Sequence, residues 1–228
     1  MAVPASMTTA DLSGRYVLNS TLSDSTDGIL TLQGVPWYTR KIIRYATITL
    51  DVKQYTGKPA DPTNPKESER QGDDFEHIDT DQTLTGGIKG TSENRTFSGL
   101  PRDHEDHLFG AVVGLSKRIT GPLSDSNSPV AKYEFLQKGW TKDTLENPKG
   151  VIYTQAVSNT EISGKVWTAE QVWGLEEFNG EKRFTKLVHP IIIILHSIIL
   201  TPLDHNFLAD IDLCGPLDTS TFSLQKRR

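Results

Sequence analysis

Residues 14–55 read GRYVLNSTLSDSTDGILTLQGVPWYTRKIIRYATITLDVKQY, and the spacing of their apolar side chains changes twice. Residues 14–22 and 46–55 alternate apolar and polar side chains, as half-buried strands do. Between them, residues 23–45 carry apolar side chains at helical spacing, and a glycine and a proline interrupt that pattern near its middle. This stretch therefore predicts a strand, two short helices in a helix-turn-helix, and a second strand.

After residue 55 the alternating pattern returns in short segments that are separated by turn residues. Gly86-Gly87 and Asn179-Gly180 are typical of tight hairpin turns. Residues 56–74 are rich in proline and charge and are predicted to form a loop, as are residues 122–129, while residues 130–140 fit a helix or a strand. Further strands are predicted at residues 75–85, 88–98, 106–119, 151–159, 165–178 and 181–188.

About eight short strands with no alternation of strands and helices indicate a mainly β protein. We predict an antiparallel up-and-down β-barrel, because closing the sheet removes its exposed edges. An immunoglobulin-like sandwich is the main alternative, but it does not explain the early helix pair.

Composition and charge narrow the classes of function. The chain has 228 residues, 36% of them hydrophobic, and 24 basic against 29 acidic residues give a net charge of -5. This balance predicts neither nucleic acid nor an anionic membrane as a partner. The single cysteine excludes an intrachain disulfide, and the N-terminus has no secretory pattern, so a cytoplasmic location is expected. The most apolar stretch, Leu187 to Leu203, is short of the ~20 residues that cross a bilayer.

Three stretches of the chain resemble known families. LTLQGVPWYTRK (30–41) resembles the helix-turn-helix lid of intracellular fatty-acid-binding proteins, and Gly14-Arg15-Tyr16 stands where calycins usually have Gly-x-Trp. TLSDSTDGILTLQGVPWYTRKIIRYATITLDVKQY (21–55), HIDTDQTLTGGIKGTSENRT (77–96) and WTAEQVWGLEEFNGEKRFT (167–185) are together similar to fungal lipocalin-like proteins that include pericyclases of polyketide pathways.

This resemblance implies a calycin-like barrel over residues 11–188, with the helix pair as a lid. Residues 1–10 are expected to be a flexible N-terminus, and residues 189–228 either a divergent closing strand and tail or the product of a mis-spliced gene model. The activity implied is that of a cofactor-independent pericyclase of the Diels-Alder type, which acts on a hydrophobic polyketide-derived intermediate beside polyketide synthase enzymes. A non-catalytic carrier of a lipid or other hydrophobic small molecule is the alternative.

The hairpin turn at Asn179-Gly180 fixes a register that pairs Glu176 with Arg183. In fatty-acid-binding proteins an inward arginine on a late strand holds the ligand carboxylate, and Arg183 is the candidate that this resemblance implies. Together with Glu176 it is predicted to polarise a substrate carbonyl. The alternative is an ordinary cross-strand ion pair on the outside of the sheet.

A second group of candidates lies on the strand at residues 75–85. His77 and Asp79 share one face of this strand, and Gln82 lies on the other face. If His77 and Asp79 line the interior, they are suited to act as acid and base on a bound polyene or tetramic acid. The alternative is a solvated outer face. Gln82 is a candidate substrate contact from the opposite face.

Aromatic side chains are the remaining candidates for binding an apolar substrate. Trp37 lies in the helix that resembles a lid and is the first choice for the portal; the others proposed to contact substrate are Tyr16, Tyr153 and Trp173. His104 and His107 have metal-ligand spacing, but no third ligand is placed by the sequence, so we predict no metal and no cofactor. Motifs for nucleophilic, phosphoryl or hydride chemistry do not occur in the sequence.

Overall fold

The computed structural model describes residues 2–58, 73–191 and 220–226. In that part of the chain there are ten strands: β1 (Gly14–Leu18), β2 (Thr49–Gly57), β3 (Phe75–Leu84), β4 (Ile88–Thr96), β5 (Arg102–Asp106), β6 (Gly110–Ile119), β7 (Val151–Ser158), β8 (Thr168–Phe178), β9 (Glu181–Ile191) and β10 (Ser220–Lys226). The same residues form five short helices: α1 (Asp27–Leu32), α2 (Trp37–Tyr45), α3 (Glu134–Gln137), α4 (Lys142–Leu145) and α5 (Thr160–Ser163). The prediction of a mainly β protein with a helix pair after the first strand is confirmed.

The strands are hydrogen-bonded in the order β4-β3-β2-β1-β10-β9-β8-β7-β6-β5. Each neighbouring pair is antiparallel. The two edge strands, β4 and β5, follow one another in the chain and are joined by residues 97–101. Among the described residues no ladder of backbone hydrogen bonds joins these two edges. The antiparallel meander is thus confirmed, and a fully closed barrel stays a prediction.

Contacts across the sheet show that it curls. β3 and β6 stand second and ninth in the strand order, yet the Arg118 Nη2 atom of β6 lies 2.8 Å from the Glu76 Oε1 atom of β3. The backbone of the β4–β5 connection ties the same two strands together, because Phe97 N–H donates to the Glu76 carbonyl at 2.8 Å and Gly99 N–H to that of Ser116 at 2.9 Å. The curled sheet therefore encloses one of its faces.

The β8–β9 hairpin has the predicted turn and register. Asn179 and Gly180 have φ angles of 53° and 72°, as a two-residue turn with left-handed central residues requires. Phe178 pairs with Glu181, and the ladder continues through Glu176 with Arg183 and Val172 with Leu187. β3 and β4 likewise flank a tight turn at Thr85–Gly87.

The strand predicted over residues 106–119 is confirmed for residues 110–119, which form β6. A strand that was not predicted, β5, precedes it and pairs with it in a hairpin. Gly110 begins β6 with a φ of 74°, which reverses the chain direction just before the apolar part of the segment. β5, with the sequence RDHED, has no apolar residue and so no apolar alternation that would mark it as a strand.

At the C-terminal end, β9 runs past His189 to Ile191, and β10 pairs with both β9 and β1. The domain bounds predicted near residues 10 and 188 stay predictions. Most of the loop predicted at residues 56–74, and most of the apolar stretch that begins at Leu187, lie outside the described residues. Within the described residues, none of the helices has the length and apolar character needed to span a bilayer.

The sheet is packed on both faces at β7, β8 and β9. On the enclosed face, apolar side chains from six strands form one core: Tyr16, Leu50, Val52, Ile78, Ile152, Trp173, Leu175 and Phe184. On the outer face, residues from the segment 121–149 pack onto β7, β8 and β9: Leu123, Val130, Leu136 and Trp140 contact the group of Val151, Tyr153, Val172 and Leu187. Because successive side chains of a strand point to opposite faces, β8 contributes Trp173 to the inside and Val172 to the outside.

Candidate functional site

The enclosed face surrounds a cavity of about 570 Å³. Side chains from α1, α2 and nine of the ten strands line it. Its volume falls within the range of small-molecule sites, about 300–1,000 Å³. The fold thus places a site of ligand size inside the curled sheet.

Most of the cavity wall is apolar. The helix pair contributes Ile29 and Leu30 from α1 and Ile43 from α2, and the other apolar side chains of the wall include Leu18, Ile48, Leu50, Phe109, Val112, Trp167 and Val188. Ile29 also packs against Trp167 and Val188, which joins α1 to the sheet. Each square ångström of apolar ligand surface buried here contributes about 25 cal/mol to binding.

One part of the wall carries charged side chains. Glu93 and Arg95 lie two residues apart on β4 and so point to the same side. The Arg95 guanidinium donates two hydrogen bonds to Glu93 Oε2, with Nη2 at 2.5 Å and Nε at 3.0 Å. Lys186 of β9 and Gln171 of β8 line the same cavity. We call Glu93, Arg95, Gln171 and Lys186 the polar cluster.

Trp173 connects the members of the polar cluster. It lies opposite Lys186 in the β8–β9 ladder, and the Lys186 Nζ atom is 3.6 Å from the centre of its ring. The guanidinium carbon of Arg95 is 5.4 Å from the same centre. The indole Nε1–H donates a hydrogen bond of 2.9 Å to Gln171 Oε1. One buried aromatic side chain thus contacts cavity-lining residues from three strands.

The surroundings of the polar cluster shift its acid–base properties. Burial, assisted by the charge of Arg95, lowers the pKa of Lys186 to about 8, although the Glu93 carboxylate acts in the opposite direction. Burial alone would raise the pKa of Glu93, but Arg95 and Lys186 outweigh it, and the pKa is lowered. Glu93 is therefore ionised at neutral pH. Lys186 loses its charge at a pH only slightly above neutral.

Among the predicted site residues, Gln82 lines the cavity wall. Trp173 is not among the lining residues, but it contacts Lys186, Arg95 and Gln171 of the polar cluster. Tyr16 belongs to the enclosed core instead, where its hydroxyl donates to the Leu12 carbonyl at 2.7 Å. Tyr153 packs on the outer face. Trp37 has an exposed fraction of 68% and is not among the lining residues.

The residues predicted to act as acid and base lie away from the cavity. His77 is buried on the face of β3 opposite Ile78, where its ring stacks on Tyr55 with the centres 4.9 Å apart. Its ring nitrogens are hydrogen-bonded to the Gly57 carbonyl at 3.1 Å and to the Thr96 hydroxyl at 3.0 Å. Asp79 shares that outer face. The strand alternation was predicted, but the enclosed face is the one that carries Gln82.

Arg183 and Glu176 pair in register as predicted, also on the outer face. Arg183 forms an ion pair with Glu181, two residues away on the same strand. Glu176 pairs with Trp140 of the segment 121–149 through an isolated backbone bridge. The structure therefore does not bring these two side chains to the cavity, and the catalytic roles predicted for them stay predictions.

Sequence reasoning missed the functional potential of Lys186, Arg95 and Glu93. The register around Asn179-Gly180 pairs Lys186 with Trp173, so the sequence does predict that these two side chains share a face. The apolar pattern could not identify the enclosed face, because the segment 121–149 buries the other one. The described residues contain no group of three or more His, Cys, Asp or Glu arranged to hold a metal ion.

Comparison with known proteins yields two curated relatives, both from fungi. The chain is 34% identical over 209 residues to the protein named Pericyclase pydY of an Acremonium species, which covers 91% of this chain and 97% of the relative. It is 35% identical over 185 residues to Probable pericyclase scpY of Mollisia scopiformis, and this match covers 81% of this chain and 84% of the relative. No protein-family model matches the chain.

Comparison with solved structures gives two further matches. A REP1-NXSQ fatty acid transporter matches with a TM-score of 0.47 and 14% identity over 96% of this chain and 98% of its own. The wild-type fluorescent protein UnaG matches with a TM-score of 0.44 and 10% identity over 95% and 97%. At these scores neither structure bears on what this chain does.

Proposed function

Because the chain belongs to the family of the fungal pericyclases that it matches, we propose that it is a pericyclase-type cyclase. The resemblance noted in the sequence is confirmed at the level of this family. The finer proposal is a cycloaddition of the Diels-Alder type on a hydrophobic polyketide-derived intermediate. In that step a diene and an alkene of one substrate join through two new σ bonds at the cost of two π bonds, and no atom is gained or lost.

The observation that carries this proposal is the cavity, whose wall is mostly apolar and holds the polar cluster. An apolar wall favours folding a flexible chain so that diene and alkene meet. Holding reacting groups in such a geometry contributes up to ~7–11 kcal/mol in favourable cases. No nucleophile is required for a reaction of this kind.

The polar cluster supplies the electrostatic part of the mechanism. Lys186 and Arg95 are hydrogen-bond donors that line the cavity. A carbonyl conjugated to the reacting alkene withdraws more electron density when such donors bind its oxygen, which lowers the barrier to cycloaddition. In this proposal Lys186 is the main donor, while Gln171 orients the substrate.

The helix pair completes the proposed site. α1 and α2 both contribute to the cavity wall, which supports the role of a lid over a closed barrel. Ile42 and Ile43 are the apolar side chains that α2 contributes to this wall.

The direct test is to incubate the purified protein with a linear polyene that carries a conjugated carbonyl, and to follow ring formation by chromatography and mass spectrometry. We expect cyclisation faster than in buffer, with one stereoisomer enriched. Lys186→Met should lower the rate at least about ten-fold, which corresponds to about 1.4 kcal/mol of barrier. Lys142→Met, at a side chain with 84% exposure, is the matched control and should leave the rate unchanged.

The same assay distinguishes a cyclase from a non-catalytic carrier. Tight binding of the polyene without ring formation would replace the proposal by the non-catalytic carrier. The predicted roles of Arg183 and His77 are tested alongside by Arg183→Met and His77→Asn. A loss of rate in folded variants would restore those residues to the site.

A further inference from the structure

The cavity holds more positive than negative charge at the polar cluster. Glu93 is paired with Arg95, and Lys186 adds a second cation beside them. Among the described residues no carboxylate oxygen lies within 4.0 Å of the Lys186 ammonium. Within the polar cluster one carboxylate thus stands against two cations, while Arg102, Asp103 and His104 of β5 line the same cavity. A buried cation in excess is costly unless an anion or an electron-rich oxygen binds to it.

Trp173 keeps this cation in place. The face of its ring lies 3.6 Å from the Lys186 Nζ atom, which is within the distance for a cation–π interaction. Its indole N–H is held by Gln171, and Phe184 packs against it edge-on with the ring centres 6.4 Å apart. These contacts fix the plane of the ring on which Lys186 lies. The ring therefore orients the ammonium, while the Glu93 carboxylate acts on it through its charge.

We propose that Lys186, braced by Trp173, is an anion-binding residue that selects substrates with an acidic oxygen, either a carboxylate or the enolate of a 1,3-dicarbonyl group. This inference rests on the proposed function, because it names the substrate class of the same cavity. Trp173 is a positioning residue in this scheme. The other titratable groups that line the cavity are Lys89, Glu93 and Arg95 from β4, Arg102, Asp103 and His104 from β5, and His107.

Matched ligand pairs test the proposal without using the cyclisation reaction. The pairs are dodecanoate with dodecan-1-ol, and 2-dodecanoyl-1,3-cyclohexanedione with its neutral O-methyl enol ether, measured by calorimetry at pH 7. We expect the acidic member of at least one pair to bind about ten-fold more tightly than the neutral member, or about 1.4 kcal/mol. The two pairs distinguish a carboxylate site from an enolate site.

Substitution of Lys186 should remove this preference without weakening the binding of the neutral ligands. Lys186→Met and Lys186→Gln are expected to bind the acidic and neutral members of each pair within about two-fold of each other, while the affinity for the neutral member stays near that of the wild type. Trp173→Phe keeps an aromatic face and should keep most of the preference, whereas Trp173→Leu should lose it. Circular dichroism identifies the folded variants.

The preference should also depend on pH. Because the pKa of Lys186 is about 8 and a bound anion raises it, the advantage of the acidic ligand should shrink between pH 8 and pH 10. Equal binding of both members of both pairs by the wild type would overturn the proposal, as would a preference that survives in Lys186→Met. A protein that shows the preference but closes no ring would support this inference and refute the proposed cyclase.

Discussion

At the scale of single residues, Lys186 lowers the stability of the fold and is suited to bind an anion, because its ammonium is desolvated in the folded chain. Its pKa is lowered from 10.5 to about 8, so the folded state holds the proton less tightly than the unfolded state does. Each unit of such a shift corresponds to about 1.4 kcal/mol. The cavity therefore contains a desolvated positive charge, which a bound anion would stabilise.

Lys186→Met should raise the free energy of unfolding at pH 7 by about 1–3 kcal/mol, because it removes this desolvated charge. The sign follows from proton binding. Between pH 8 and pH 10 the unfolded wild type binds more protons than the folded one, so wild-type stability rises in that window and the advantage of the variant shrinks. Urea titrations at pH 7, 8.5 and 10 measure this difference. A difference that is constant with pH would contradict the assigned burial.

The sequence predicts the register of the β8–β9 hairpin, but not which face of that hairpin is enclosed. The turn at Asn179-Gly180 predicts which residues of β8 and β9 pair, and the structure has those pairs. The alternation separates Arg183 from Lys186, but it does not say which of them is enclosed. Arg183 is buried, but on the outer face of β9 and not in the cavity. Only a three-dimensional arrangement distinguishes the two kinds of burial.

At the scale of elements, the helix pair was predictable because its apolar spacing differs from that of the flanking strands. The direction of its side chains was not, since α2 has no buried residue and its aromatic side chains Trp37, Tyr38 and Tyr45 are exposed. Ile43, in the middle of the helix, is only partly exposed and lines the cavity. A nine-residue helix with one narrow contact face leaves the position of its tryptophan undetermined from sequence.

Two substitutions in α2 test which of its faces serves the site. Ile43→Ala should weaken the binding of dodecan-1-ol roughly five-fold, because about 1 kcal/mol of apolar contact is lost. Trp37→Ala, on the exposed side of the same helix, should leave that affinity unchanged. Calorimetric titration of both variants measures the contrast. If Trp37→Ala proves the more damaging change, the portal role predicted from the sequence is right and the cavity wall is wrongly assigned.

At the scale of the whole molecule, the enclosed face depends on a contact between strands that are distant in the sheet. Glu76 of β3 and Arg118 of β6 form a largely buried ion pair, and Gln54 donates to the same carboxylate at 2.7 Å. Arg118 also donates to the Thr9 carbonyl at 2.8 Å. No local pattern in the sequence indicates this pair, because its members are 42 residues apart and belong to strands that are not neighbours. It holds the curl that creates the cavity.

Glu76→Gln should therefore lower the free energy of unfolding by about 2–4 kcal/mol at pH 7, because it leaves Arg118 buried beside a neutral amide. Burial alone would raise the pKa of Glu76, but the hydrogen bond and charge of Arg118, with Gln54 and Lys149, lower it overall. A lowered carboxyl pKa stabilises the fold above the ordinary pKa of 4.5 and loses that effect as the pH falls through the folded value. The gap between variant and wild type should thus narrow below pH 4.5.

A double-mutant cycle with Arg118→Met distinguishes a cross-sheet tie from two separate local effects. Since the two side chains contact each other, the destabilisation of the double variant should be smaller than the sum of the two single destabilisations. The affinity for dodecan-1-ol should fall in each variant, because the cavity loses a contact that maintains its shape. Glu134→Gln, in an exposed pair with Lys138, is the control and should change neither quantity. Additive effects with unchanged ligand affinity would mean that the curl of the sheet is maintained elsewhere, and that the cavity does not depend on this contact.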